Sequence, residues 1–291
     1  MNKIRLNPLN DFLFMKYMGE KGDEEQLLAF LNVVLRKTGN DGIVSVKILE
    51  TKLSADIIGD KSSIMDLRAE MDNGTRVNIE VQLRNVGNMD KRSLFYWSRE
   101  YGKSIQVGDD YDDLPRVITI NIIDTELLPI DRVHASFHLW EDDDKDYMLT
   151  DMMEIHFIDM VKFRRLKGKD IEHNLLHRWL TFFDKTASDQ TIQKIIEMDT
   201  SIGKAHEKIM SVAQDSEMLH QYQMREMAII DYASGISNAT IKGIAIGEQR
   251  GERKSQVKYV LKLSQKGMSA EDIAELIDLS IEEVTKILNT N

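Results

Sequence analysis

The stretch from Ser63 to Leu83, SIMDLRAEMDNGTRVNIEVQL, decides how the rest of the chain can be arranged. Two alternating segments flank Asp72-Asn73-Gly74, which is a strong signal for a β-hairpin turn. A three-residue loop with Gly74 in the left-handed region pairs Asp66 with Glu80 and leaves one face of the hairpin almost wholly apolar. A two-residue loop would pair Asp66 with Val81 and mix the two faces. Because register is strongly specified when one face is buried, we predict the three-residue loop.

The predicted register separates the side chains of the hairpin into two faces. The apolar face carries Met65, Leu67, Ala69, Val77, Ile79, Val81 and Leu83. The polar face carries Asp66, Arg68, Glu70, Arg76, Asn78, Glu80 and Gln82. Asp66 and Glu80 would then face each other with side chains roughly 5 Å apart. Two carboxylates at this distance repel each other unless a positive group lies between them. A divalent cation is the natural candidate, because hard cations take oxygen ligands.

Asp66 followed by Glu80-Val81-Gln82 resembles the metal site of the PD-(D/E)XK nuclease superfamily, with Gln82 where many members carry lysine. Over roughly residues 7 to 163 the sequence resembles the Rpn family of recombination-promoting nucleases, also described as transposases of the PD-(D/E)XK type. The segments that carry this resemblance are NPLNDFLFMKYM (7–18), the hairpin, RSLFYWSREY (92–101) and LTDMMEIHFIDM (149–160). The short D…ExQ pattern alone would be weak, but the order and spacing of all the segments make the resemblance specific.

The resemblance implies a divalent-metal-dependent DNA endonuclease linked to recombination or transposition. Asp66, Glu80 and the backbone carbonyl of Val81 would bind Mg²⁺ or Mn²⁺. Gln82 would reach the attacking water or the phosphate, but it cannot act as a cation or a general base as lysine might. For an arbitrary hairpin, a polar sheet face with solvated charges would be the ordinary interpretation of the same residues.

Further candidates lie in the helices on either side of the hairpin. Asp11 is an accessory carboxylate, because some relatives bring one from the first helix; an acid favoured by the helix dipole explains it equally well. Arg92, Tyr96 and Arg99 recur at helical spacing, and we predict that they contact DNA phosphates, although a solvated stripe has the same spacing.

Other residues are assigned to the core or set aside. Phe95 and Trp97 are predicted to be core residues. His173 and His177 have a zinc-compatible spacing but no evident third ligand. Neither a Walker-type loop nor a dinucleotide fingerprint is present, so we expect no nucleotide cofactor.

Composition narrows the class of protein. The chain has 291 residues, of which 42% are hydrophobic and 30% charged, and it contains no cysteine. No apolar run approaches the ~20 residues needed to cross a bilayer. The first residues lack the apolar core of a signal peptide, so we expect a cytoplasmic protein with no membrane partner. The net charge of −11 argues against an extended DNA-binding surface, so any affinity for DNA depends on local charge.

The order of predicted elements is helix, three strands, helix, strand, which is the layout of a restriction-endonuclease-like α/β core with a central mixed sheet. Helices are predicted at residues 7–17, 24–36 and 90–107, and strands at 44–53, 115–123, 133–140 and 147–157. From about Val161 the pattern becomes helical. We therefore predict a nuclease-like core at residues 1–165, a helical extension and linker at 166–250, and a helix-turn-helix-like tail at 251–291.

The helical half raises two further questions. Gly243, Gly247 and Gly251 recur every four residues, which suits close packing of two helices in a homodimer but equally a flexible or imperfect helix. In the tail, Ser269 and Ser280 are predicted N-caps, and Glu282 and Glu283 stand where a recognition helix would meet DNA. This favours packing or protein contact over DNA reading. An alternative function is therefore a catalytically inactive interaction module.

Overall fold

A computed structural model describes residues 5–37, 39–49, 66–83 and 88–290, without the side chains of Asp66 and Ala233. The chain divides into two compact units, Met1–Ala228 and Ile229–Asn291. The predicted three-part division at residues 165 and 250 stays a prediction. Among the described helices, none combines the length and apolarity that crossing a membrane requires.

The first unit begins with two helices, α1 (Asp11–Met18) and α2 (Glu25–Val34). Helix α1 starts later than predicted because Pro8 lies in a turn, and the Tyr17 hydroxyl donates to the Pro8 carbonyl at 2.9 Å. Asn10 caps α1 by accepting the Leu13 N–H at 3.2 Å. A short 3₁₀ helix (Gly39–Asp41) and strand β1 (Val46–Ile48) follow. Residues 50–53 of the strand predicted here are outside the described chain.

The hairpin consists of β2 (Asp66–Met71) and β3 (Arg76–Gln82) in the predicted register, with Asp66 paired with Glu80. The N–H of Gly74 donates to the Met71 carbonyl at 2.9 Å and closes the loop. Gly74 has a φ of +79°, a conformation that glycine adopts at little cost because it has no Cβ. The predicted loop and register are confirmed, apart from Met65, which falls outside the described residues.

A six-stranded mixed sheet forms the centre of the first unit, in the order β1-β2-β3-β4-β6-β5. The chain continues after the hairpin with α3 (Met89–Gly102), a 3₁₀ helix (Tyr111–Asp113), and the strands β4 (Val117–Ile123), β5 (His134–Trp140) and β6 (Met148–Asp159). Strand β4 runs parallel to both β3 and β6, whereas β5 is antiparallel to β6 and forms an edge. All seven residues of β4 are buried, which explains why this strand reads as a nearly continuous apolar run.

The two faces of the sheet are covered by different elements. On one face, side chains such as Leu67, Ile79 and Ile120 belong to the main core together with residues of α1, α2 and the later helices of this unit. On the other face lies α3, whose Met89 packs in a smaller cluster with Ile123, Ile155 and Phe157. The polar side of the hairpin therefore lies beneath α3.

After the sheet the chain is helical, as predicted. The helices are α4 (Met160–Arg165), α5 (Leu175–Phe183), α6 (Asp189–Met198), α7 (Thr200–Gln214) and α8 (Ser216–Ser264). Side chains of Asp159, Asn174, Ser188 and Asp199 accept backbone N–H groups at the starts of α4 to α7, which sets where these helices begin. This arrangement confirms an α/β core of the restriction-endonuclease-like type followed by a helical C-terminal region.

The second unit contains the end of α8 with α9 (Ala270–Ile277) and α10 (Ile281–Thr290). Ser269 and Ser280 cap α9 and α10 as predicted, each accepting at 3.2 Å the N–H of the acid three residues on. The unit's apolar core consists of Val260, Ile273, Ala274, Val284 and Ile287.

The glycine-spaced segment lies inside the continuous helix α8. A methyl group placed on Gly243, Gly247 or Gly251 would meet no described atom of this chain within 4 Å. Within the described chain, these glycines therefore do not serve a close helix contact.

Candidate active site

Asp66 and Glu80 occupy directly opposed positions on β2 and β3. The side chain of Asp66 is not described, so its place is fixed by the backbone alone. Glu80 is on the face covered by α3 and is fully buried, with 0% of its surface exposed. A buried carboxylate is costly unless a cation or hydrogen-bond donors satisfy it. The hydrogen-bond partners of the two Glu80 carboxylate oxygens therefore show whether the site has room for a cation.

The two carboxylate oxygens of Glu80 have different surroundings. Oε1 accepts from the Arg92 guanidinium at 2.8 Å, whereas Oε2 is buried with no hydrogen-bond partner in the described chain. Burial raises the pKa of Glu80, and the charge and hydrogen bond of Arg92 act in the opposite direction. A buried carboxylate oxygen without a hydrogen-bond partner is the kind of ligand that a hard divalent cation takes.

The position next to Glu80 on β4 is hydrogen-bonded to α3. Asn121 pairs with Glu80 across β3 and β4, accepts from the Ser93 hydroxyl at 2.6 Å and donates to the His156 carbonyl at 2.9 Å. Asn121 and Ser93 were missed in the sequence-based search for site residues. The available signal was a lone asparagine in the apolar run VITINII, where an uncompensated amide would be costly.

Gln82 and Val81 follow Glu80 on the same strand. Gln82 is buried to 8% exposure on the face of Glu80, and its carbonyl accepts the Asp124 N–H at 2.9 Å. Val81 is half-buried, and its side chain packs against the main core. The strand therefore presents Glu80 and Gln82 together, while the metal-binding role of the Val81 carbonyl stays a prediction.

Asp11 contacts residues away from the hairpin. Its carboxylate accepts the Phe12 N–H at 2.7 Å and lies 3.9 Å from the Arg225 guanidinium. Neither Phe12 nor Arg225 belongs to β2 or β3, the strands that carry Asp66 and Glu80. The structure thus supports the helix-terminus interpretation, and the accessory role of Asp11 stays a prediction.

The residues of α3 divide differently from the sequence-based expectation. Arg92 turns to Glu80 and lies 5.7 Å from the ring centroid of half-buried Tyr96, whereas Arg99 is exposed. Trp97 is half-buried and donates to the Val117 carbonyl at 2.9 Å. The prediction that Phe95 is a core residue is wrong, because 60% of its surface is exposed. Spacing groups residues on a helix but does not show which group faces the sheet.

Other candidate metal sites carry less weight. Among the described side chains, no group of three or more histidines and carboxylates is placed to hold a metal ion. Asp66 is not among these side chains, because its own side chain is not described. Nδ1 of His177 accepts the Asp170 N–H at 3.0 Å, and His173 lies against the Asp170 carboxylate, so both histidines serve the turn before α5.

The fold and the opposed acids define the class: a restriction-endonuclease-like core with a candidate carboxylate metal site under one helix. The family model described as PD-(D/E)XK nuclease family transposase matches residues 8–239, and the chain belongs to this family. Neither a curated protein nor a solved structure gives a significant match.

Membership carries a general functional expectation. Nucleases of the PD-(D/E)XK superfamily act on DNA and generally use divalent metal ions. A nuclease-like or transposase function is therefore supported for this chain. The buried, half-satisfied carboxylate of Glu80 fits such an ion.

Proposed function

We propose that this protein is a divalent-metal-dependent DNA endonuclease acting in recombination or transposition. One observation carries the proposal: Glu80, opposite Asp66 on adjacent strands, is fully buried with one carboxylate oxygen unsatisfied. Family membership supports the nuclease class. A cytoplasmic location, predicted from the sequence, belongs to the same proposal.

The proposed ligands are the carboxylates of Asp66 and Glu80 with the carbonyl of Val81. A bound Mg²⁺ or Mn²⁺ would supply charge neutralisation at the phosphate and a more acidic water. Gln82, on the same strand face as Glu80, would orient the water or a phosphate oxygen through its amide. Because an amide takes no proton, Gln82 holds its partner in place without acting as the base.

Arg92 has a structural role in the same site. Its guanidinium pairs with Glu80 and so keeps a buried negative charge compensated. Ser93, the next residue of α3, fixes Asn121 beside Glu80. Two adjacent residues of α3 therefore hold the floor of the site in one arrangement, which favours ligand groups that are already oriented before substrate binds.

The proposal is tested by cleavage of supercoiled plasmid with Mg²⁺ or Mn²⁺ beside an EDTA control. Glu80→Gln and Asp66→Asn should reduce nicking to the background level, because each removes a ligand charge with little change of volume. Glu70→Gln is the matched control, since Glu70 lies on the polar face of the same hairpin but is solvent-accessible and paired with Arg76. Full cleavage by Asp66→Asn would refute the site assignment.

An inactive interaction module is the alternative, favoured by Gln82 in the lysine position and by the ion pair that occupies Glu80 Oε1. Metal binding distinguishes the two functions. Mn²⁺ at about one hundred times its Kd should stabilise a metal-binding protein by roughly 2.7 kcal/mol. No thermal shift in the wild type, or an equal shift in Glu80→Gln, would favour the alternative.

A homodimer and a DNA-binding tail are separate proposals. A dimer suits double-strand cleavage, and exposed Ile236 and Ile244 accompany the glycine-spaced part of α8. Sedimentation at several protein concentrations would show such a dimer as a concentration-dependent mass. If the tail reads DNA, truncation before Gly251 should weaken sequence preference and leave basal nicking intact.

A further inference from the structure

The outer side of α3 carries exposed side chains that the candidate metal site does not use. Lys91, Phe95 and Arg99 of α3, and Lys103, the C-cap residue just after it, follow one another every four residues, and all four are exposed. Neighbours at this spacing have Cβ atoms about 5–6 Å apart on one side of a helix. We call these four residues the α3 stripe.

The α3 stripe concentrates unpaired positive charge in an acidic protein. Across the described chain, no ion pair joins Lys91, Arg99 or Lys103 to a carboxylate, whereas Arg92 on the inner side of α3 is paired with Glu80. The whole chain has a net charge of −11. Local cations of this kind provide the phosphate contacts that a negatively charged protein otherwise lacks.

Phe95 stands between the cations with 60% of its surface in water. Its ring lies 5.7 Å from the Tyr96 ring at an interplanar angle of 59°, so it rests on a half-buried aromatic residue. Grooves that bind single-stranded nucleic acid combine cations along the backbone with aromatic rings on which bases stack. The α3 stripe has both components at neighbouring positions.

A short series of contacts links the α3 stripe to the candidate metal site. The Phe95 ring contacts Tyr96, the Tyr96 ring contacts Arg92, and Arg92 binds Glu80 at 2.8 Å. The outer side of α3 is therefore connected to Glu80 through the aromatic pair and Arg92 of the same helix.

We propose that the α3 stripe binds single-stranded DNA, with Phe95 stacking on an unpaired base and Lys91, Arg99 and Lys103 contacting phosphates. This proposal rests on the nuclease function and specifies its substrate as DNA with unpaired bases. Bases in a duplex are already stacked on one another and present no free face to Phe95. The α3 stripe therefore discriminates strand state rather than base sequence.

The test measures binding of a fluorescein-labelled single strand, and of its duplex, to the full-length protein by anisotropy in EDTA. The wild type should bind the single strand more tightly. Phe95→Ala should weaken single-strand binding roughly 5- to 150-fold, the range expected for loss of one stacked base, while Phe95→Tyr retains it. Leu94→Ala is the matched control, since Leu94 is 50% exposed on the same helix but outside the stripe.

Salt dependence tests the cations separately. Each phosphate contact on a single strand contributes about −0.7 to the slope of log K against log salt. Arg99→Gln should therefore make the slope about 0.7 less negative for strands of any sequence. An unchanged slope in both Arg99→Gln and Lys103→Gln would overturn the phosphate contacts.

The binding assay tests the α3 stripe and the cleavage assay tests the nuclease, so each proposal can be refuted without the other. Metal-dependent cleavage with identical single-strand binding by Phe95→Ala and Leu94→Ala would overturn the α3 stripe and leave the nuclease intact. Stripe-dependent binding without cleavage would support the stripe and refute the nuclease. If Phe95→Ala changes the molecular mass in solution but not DNA binding, the stripe is a protein interface and the proposal is overturned.

Discussion

His134, His156 and Glu154 form a chain of polar contacts on the face of the sheet opposite to α3. Nε2 of His134 lies 2.8 Å from Nδ1 of His156, and Nε2 of His156 lies 2.7 Å from Glu154 Oε1. His156 is 3% exposed, and Arg116 also pairs with Glu154. Two imidazole rings this close are most stable when at least one is neutral, so we expect the contacts to resist protonation.

The pKa values of His134 and Glu154 are both lowered in this arrangement. Burial, then the charges of His156 and Arg36, lower the pKa of His134 from 6.5 to about 4. Burial acts to raise the pKa of Glu154, but His156, Arg116 and His138 outweigh it and hold that pKa at about 2. Both groups therefore bind protons more weakly in the folded protein than in the unfolded chain.

The expected result is a loss of stability on acidification. Between pH 6.5 and 4 the unfolded chain takes up a proton at position 134 that the folded protein does not. The free energy of unfolding should fall across this window by about 1–2 kcal/mol after allowance for solvent screening. Glu154 should extend the decline from pH 4.5 towards 2. Urea unfolding at a series of pH values measures the slope.

A matched pair of variants identifies the group responsible. His134→Gln should flatten the slope between pH 6.5 and 4, whereas His173→Gln, at an exposed position before α5, should leave it unchanged. The same slope in His134→Gln and the wild type would contradict the assignment.

At the scale of elements, the loop between β2 and β3 sets the register that places Asp66 opposite Glu80. Gly74→Ala should lower the free energy of unfolding by about 1 kcal/mol, because alanine is strained at a φ of +79°. Gly243→Ala is the control, because a methyl group there meets open space inside a helix and should be neutral or stabilising. Thermal unfolding followed by circular dichroism tests both; equal midpoints for the two variants would contradict this account.

The hairpin was predictable from sequence because its two registers have very different consequences. Only one register separates apolar from polar side chains, so the alternation of residues along the two segments was sufficient to predict the register. The helix after the hairpin was not predictable in the same way. Both Arg92 and Phe95 lie on a helix with polar and apolar residues around its circumference, and the side that faces the sheet carries charged Arg92 beside buried Met89 and Ser93. The ion pair of Arg92 with Glu80 and the hydrogen bond of Ser93 with Asn121 both lie on the inward side, and both partners belong to strands outside the helix.

At the scale of the whole molecule, the first turns of α8 belong to the first unit. The Tyr222 hydroxyl accepts the Asn7 N–H at 3.0 Å, and Glu226 accepts from the Asn10 side chain at 2.8 Å. Tyr222 is buried to 8% exposure. The sequence did not show that this part of α8 packs against the first unit. The contacting residues are some 215 positions apart, and no local sequence pattern connects them.

Truncation tests this boundary. A chain ending at residue 228 should keep the stability of the first unit, whereas one ending at residue 215 should lose about 3 kcal/mol or more by removing a buried aromatic contact. All three tryptophans lie in the first unit, so their fluorescence in guanidinium reports on that unit. Equal unfolding midpoints for the two truncations would place the boundary earlier.

The central position of β4 has a consequence for synthesis. Its run of β-branched residues carries no charge, and it becomes fully covered only when β6 pairs along its second edge. At usual rates of translation, β6 follows β4 from the ribosome by on the order of a few seconds. During that interval an uncharged strand with an open edge is a site for aggregation. We therefore expect the nascent chain to depend on chaperones until β6 has emerged, and low temperature to improve the yield of folded protein.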